Sequence, residues 1–197
     1  MEANITLRSG NVYAVDIFPP YDAVLWHGRL RAVFGPGLAA LLDPSLTVQS
    51  FTSHPPDGPA LSILMQEAVS RCRTPEKEAL SDSVIFDNWF RKHPGDLYEL
   101  GLNACIEPIR DFLFEYAAYL SERQDRERDG SSGATLGISI PKGLEAPAML
   151  FRVCKAGLCS FTHLEEGRIS AKVFFRMQRT VDWQEYEQAR IADARTS

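Results

Sequence analysis

A thiol beside an imidazole is the first chemistry to test, because the base can hold the sulfur as a nucleophilic thiolate. Cys159 and His163 are the nearest such pair in the chain. On the strand that the local pattern suggests, four residues span roughly 13 Å, too far for a hydrogen bond. Cys159 therefore reads as a partly buried thiol and His163 as an edge or surface imidazole. Cys154 and Cys159 flank the turn Lys155-Ala156-Gly157. A two-residue turn, Ala156-Gly157, would set the two cysteines opposite each other, but a three-residue turn sets Cys154 opposite Leu158 and argues against a disulfide between them. The four cysteines, Cys72, Cys105, Cys154 and Cys159, include no Cys-x-x-Cys pair and read as reduced thiols.

Other signatures fail on spacing. Gly133 and Gly137 have the wrong separation for a phosphate-cradling loop, and no lysine follows them. Gly137-Ile138-Ser139-Ile140-Pro141 ends in proline where a nucleophile elbow needs glycine. His27, His54, His93 and His163 lie far apart and share no metal-ligand spacing with a cysteine. Hence no catalytic residue, metal or cofactor is assigned, although an enzyme can still assemble its site from distant positions. Asp111 and Glu115 read as a solvated helix face, and the mixed-sign run Glu122 to Arg128 as helix-surface ion pairs.

The most informative candidate surface is basic. Ile169, Ala171, Val173, Phe175 and Met177 alternate, so on a strand they face a core, and Arg168, Ser170, Lys172, Phe174, Arg176 and Gln178 face solvent. Arg152 joins them from a neighbouring strand. A basic face with a central aromatic suits an acidic protein partner. It also suits single-stranded RNA, whose bases stack on aromatic rings. Charged residues keep any sheet face soluble, so a purely structural role competes with both. Trp89, between Phe86 and Phe90, is the best hot spot if exposed, because tryptophan concentrates interface energy; core packing is its alternative role. The candidate binding residues are thus Arg152, Arg168, Lys172, Phe174, Arg176 and Trp89.

The elements that must position these residues follow from period and punctuation. Alternation over Asn4 to Arg8 and again at Tyr13, Val15 and Ile17, about Ser9-Gly10, predicts an N-terminal β-hairpin. A helix weakened by Gly28, or a bent strand, over Asp22 to Phe34, a short helix at 38–42 and a strand at 46–51 follow. Leu61, Leu64, Met65, Ala68, Val69 and Cys72 keep one helix face. Thr74-Pro75-Glu76 resembles a helix start, with a cap, a first-turn proline and an acid. Further helices are expected over Asp82 to Lys92 and from Asp96 to Arg123, where Asp96 and Glu99 resemble a capping box and Pro108 kinks the axis. Leu136, Ile138 and Ile140, then Met149, Phe151 and Val153, then Ile169 to Met177 predict an antiparallel meander over 135–178. Its turns would be Lys155-Ala156-Gly157 and Glu165-Glu166-Gly167, and a closing helix would run from Asp182 to Ala194.

The expectation is an α+β fold: N-terminal β-hairpin, central helical region and C-terminal antiparallel β-meander with a closing helix. Its 197 residues suit a single domain with a subregion break at 129–134, where Gly130-Ser131-Ser132-Gly133 stands. A net charge of −5 weighs against general phosphate-backbone binding, which needs excess cations to release counterions. The charge is uneven, however: residues 74–129 carry 13 acids and 7 bases, whereas 142–179 carry 3 acids and 7 bases. No apolar run is long enough to span a bilayer, and Met1-Glu2-Ala3-Asn4 lacks the basic flank of a signal peptide. Together these features point to a cytoplasmic, non-enzymatic protein-interaction protein of immunity, adaptor or accessory type. Single-stranded RNA binding and an enzyme with a site hidden from linear sequence are the alternatives.

Overall fold

The computed structural model describes residues 2–35, 38, 58–128 and 145–196. They form β1 (Glu2–Thr6), β2 (Val12–Asp16), α1 (Pro20–Phe34), α2 (Gly58–Ser70), β3 (Cys72–Arg73), α3 (Ser83–Lys92) and α4 (Asp96–Ile106). A 3₁₀ turn (Glu107–Ile109) leads to α5 (Arg110–Arg128), α6 (Glu145–Lys155), α7 (Phe161–Glu165) and α8 (Ala171–Thr196). The chain packs as two compact units, Met1–Phe18 with Gly28–Arg110, and Pro19–His27 with Asp111–Ser197. The segments expected at 38–42, 46–51, 129–134 and 136–140 lie wholly or almost wholly outside the described residues.

In the first unit the hairpin forms with Ile5 opposite Tyr13, and its turn carries Gly10 at φ 86°, a conformation that costs glycine little. Ile5, Leu7, Tyr13 and Val15 are buried, as period-two alternation requires. β3 adds antiparallel to β2, giving the sheet order β1-β2-β3. The expected helix start at Thr74 is instead a turn. Lys77 N–H donates to the Thr74 carbonyl (2.8 Å), Glu78 N–H donates to Thr74 Oγ1 (3.2 Å), and Leu80 N–H returns to the Cys72 carbonyl (2.9 Å). Thr74 and Pro75 serve a tight turn as readily as a helix start, and backbone pairing with β3 selects the turn.

α2 buries Leu64, Ala68 and Val69, and α4 buries Leu100, Ala104 and Cys105. The two helices meet at Gly101, where an added Cβ would stand 2.5 Å from Met65 Cε and 3.2 Å from Met65 Cβ. α3 opens on Asp82, whose Oδ1 accepts from Val84 N–H at 2.8 Å and Ile85 N–H at 3.3 Å. α4 opens without a side-chain cap, at Gly95. The Asp96 carboxylate is drawn inward rather than to the helix end. Pro108 lacks the N–H that would continue the ladder, and the long helix divides there at the 3₁₀ turn.

The second unit overturns the expected meander. Residues 145–196 wind into α6, α7 and α8. Gly157 and Gly167 do stand at positive φ (72° and 67°), but they end helices rather than close hairpins. Leu158 N–H donates to the Val153 carbonyl (3.1 Å) and Gly157 N–H to the Cys154 carbonyl (3.0 Å), the paired bonds of a Schellman motif. Arg168 N–H repeats the longer bond to the His163 carbonyl (3.1 Å). A left-handed glycine suits a bulged hairpin and a helix end equally, so it marks the reversal without stating what reverses.

Helical winding also exchanges the faces. On α8, Phe174, Phe175, Gln178 and Val181 are buried, while Val173 is exposed; on α6, Leu150 and Val153 are buried and Phe151 is exposed. The core of this unit is an aromatic cluster. Phe175 stands 5.1 Å from Phe112, 5.3 Å from Phe174 and 5.7 Å from Tyr119 between ring centroids, within the usual range for packed aromatic pairs. Arg179 clamps Glu122 of α5 through Nε (2.6 Å) and Nη2 (2.8 Å). Among the described residues no helix is long and apolar enough to cross a membrane.

Candidate binding surface

The six residues expected to share one sheet face lie in different surroundings. Trp89 belongs to the first unit and is buried. Its indole N–H donates to Tyr13 Oη at 2.8 Å, and its ring meets the Tyr13 ring edge-on. Tyr13 Oη donates onward to Asp96 Oδ2 (2.8 Å), which also accepts from Asn11 Nδ2 (2.7 Å). Burial pushes the Asp96 carboxyl up, but hydrogen bonds from Asn11, Tyr13 and Ser9 outweigh it and hold the group below its ordinary value. Burial drives the Tyr13 phenol strongly upward. This chain fixes the hairpin to α3 and α4, and it occupies Trp89 completely.

In the second unit Arg152 and Phe174 are likewise engaged inside. Phe174 is fully buried in the aromatic core because the helix turns it inward, where a strand would have turned it out. Arg152 Nη2 donates to Asp182 Oδ1 and to Glu185 Oε2, both at 2.8 Å, so two carboxylates neutralise it. Burial alone would lower the pKa of the guanidinium, but Asp182 and Glu185 reverse the sign and raise it. Tyr119 Oη donates to Asp182 Oδ1 (3.2 Å), and buried Gln178 donates to the Met149 carbonyl (2.6 Å). The cluster joins α5, α6 and α8.

The other three remain at the surface. Arg168 is exposed and pairs with Glu166 at 2.6 Å. Lys172 and Arg176 are exposed at i and i+4 of α8 and make no ion pair among the described residues. The same helix face continues through Thr180 to Trp183, which is 56% exposed. The run from Lys172 to Trp183 covers about 17 Å at the helical rise. The expected change from a strand ending near Gln178 to a helix opening at Asp182 hid this stripe, because it put Trp183 on a different element from the basic face; the spacing i, i+4, i+8, i+11 reveals it once α8 begins at Ala171.

The electrostatics at the start of α8 are one-sided. Ser170 Oγ accepts from Val173 N–H (3.4 Å), and the first turn holds no acid. Lys172 therefore adds its charge to the positive end of the helix dipole. Elsewhere the described residues offer less. A groove of about 500 Å³ on the sheet of the first unit is lined by Glu2, Asn4, Val12, Ala14, Arg73 and their neighbours. There Arg73 is committed to Glu2 and to Asp16. His163 is exposed on α7, and Cys159 faces Cys154 instead. No group of three or more His, Cys, Asp or Glu among the described residues could hold a metal ion.

Fold and surface together define a mostly helical protein with one small antiparallel sheet and a basic, tryptophan-bearing helix stripe. No protein-family model, curated protein or solved structure matches the chain.

Proposed function

We propose that this is a protein-interaction protein of immunity, adaptor or accessory type that docks an acidic protein surface on the outer face of α8. The observation that carries the reading is Trp183, more than half exposed on the face that presents Lys172 and Arg176. A tryptophan supplies a large, stiff contact area that a partner pocket can desolvate, and such residues dominate interface energies. The two cations, which make no ion pair among the described residues, and the helix dipole select a partner of negative charge and raise the encounter rate. Arg168 extends the positive end but is partly spent on Glu166.

The test is affinity capture from the native source with the wild type, Trp183→Ala and the double variant Lys172→Glu, Arg176→Glu. Trp183→Ala is expected to weaken a captured protein by about 30-fold, the worth of roughly 2 kcal/mol at a hot spot. Charge reversal should reduce recovery further at low salt. Equal recovery by all three chains, each folded by circular dichroism, overturns the proposal. Recovery that disappears on nuclease treatment assigns the face to nucleic acid instead.

A further inference from the structure

We infer that Cys154 and Cys159 form a modification site, a dithiol that a hydroperoxide closes into a disulfide joining the end of α6 to the segment that enters α7. The backbone supplies the geometry. Val153 and Leu158 are tied by the long bond of the Schellman motif (3.1 Å), with Gly157 turning the chain at φ 72° between them. Cys154 and Cys159 each follow one member of that tied pair. Their side chains lie beside one another, near enough for each thiol to influence the ionisation of the other. Both are free and half-buried, so small oxidants reach them. Cys72 and Cys105, by contrast, are at most 1% exposed in the first unit.

The proximity of the two thiols orders the chemistry. Cys159 favours the ionised form of Cys154, whereas Cys154 disfavours that of Cys159, so Cys154 attacks first. Its sulfur displaces hydroxide from the peroxide O–O bond, giving a sulfenic acid, and the hydroxide takes a proton to become water. The Cys159 sulfur then attacks the sulfenic sulfur, the S–O bond breaks, and a second water leaves. Two thiols lose two electrons and two protons, and one hydroperoxide is reduced. Burial raises the pKa of both thiols, that of Cys159 to about 11, so the resting pair is protonated near neutrality and closure is slow there.

Sequence makes the product easy to read, because trypsin cuts after Lys155, between the two cysteines. The folded full chain is treated with hydrogen peroxide, its remaining thiols are alkylated, and it is digested without reductant. The expected product is Val153–Lys155 joined to Ala156–Arg168, separated by reductant, with Cys72 and Cys105 still alkylated after denaturation. Cys159→Ser should stop at a Cys154 sulfenic acid trapped by dimedone. Between pH 7 and pH 8 the joined fragment should form about tenfold faster, as the thiolate fraction rises. The proposal is overturned if peroxide yields only sulfinic or sulfonic acids, links between chains or bonds involving Cys72 or Cys105. A rate indifferent to pH overturns it as well.

Discussion

Each unit holds a buried polar cluster, and the two are built on opposite principles. In the first, one carboxylate, Asp96, is solvated by neutral donors: the Tyr13 phenol, itself bonded by Trp89, and the Asn11 amide. In the second, one guanidinium, Arg152, is neutralised by Asp182 and Glu185, and Glu185 is largely exposed. A carboxylate held mainly by oriented neutral donors, with His93 adding a smaller favourable charge, rests chiefly on geometry for its stability. The Glu185 arm of this ion pair is open to water and can exchange its partner for solvent at small cost, although the Asp182 arm is mostly buried. The first cluster should therefore be brittle and the second tolerant.

Breaking the first cluster gives the largest expected effect. Asp96→Ala strands two donors beneath the hairpin and should cost about 3 kcal/mol in urea unfolding. Tyr13→Phe keeps the ring but leaves the Trp89 N–H and the Asp96 oxygen short of a partner, a loss of about 2 kcal/mol by the same measurement. Arg152→Met retains the packing of the stem while freeing Asp182 and Glu185, and should cost on the order of 1 kcal/mol. If Arg152→Met proves costlier than Asp96→Ala, the contrast between the clusters is reversed.

Acid sharpens the contrast most gently. The folded Asp96 pKa lies below its unfolded value. Its stabilising contribution is thus complete above the unfolded carboxyl pKa of about 4 and fades as pH falls through the folded value. The stability gap between wild type and Asp96→Asn should be constant from pH 7 to pH 5 and narrow below pH 4. A gap that widens in acid would show that hydrogen bonding does not outweigh burial at this carboxyl. Arg152 stays charged throughout that window.

The first unit was the more legible of the two. Ile5, Tyr13 and Val15 alternate around a glycine that can only turn, and the α2 face repeats at helical spacing over three turns. What stayed hidden there was the use of Asp96. Three residues before a glutamate it resembles a cap, yet the hairpin, more than eighty residues earlier, supplies the donors that claim it. In the second unit Ile169 to Met177 satisfies both periods at once. The adjacent Phe174 and Phe175, followed by Gln178 and Val181, carry the helical alternative, and only burial against Phe112 and Tyr119 separates the two readings. Trp183 was visible as a residue but not as a surface, because its face depends on where α8 begins.

The sequence by itself determined where the backbone is punctuated: it turns at Gly10, Gly157 and Gly167 and interrupts a helix at Pro108, where a left-handed φ or a missing N–H leaves the backbone few choices. Those are local steric facts, complete within a few residues. The tertiary structure decided what the reversals join, which side of α8 faces water, and which side chains Asp96, Arg152 and Cys159 meet. Each of these depends on groups distant along the chain or on the winding between them, and a segment that fits two local states adopts the one whose apolar face finds a core.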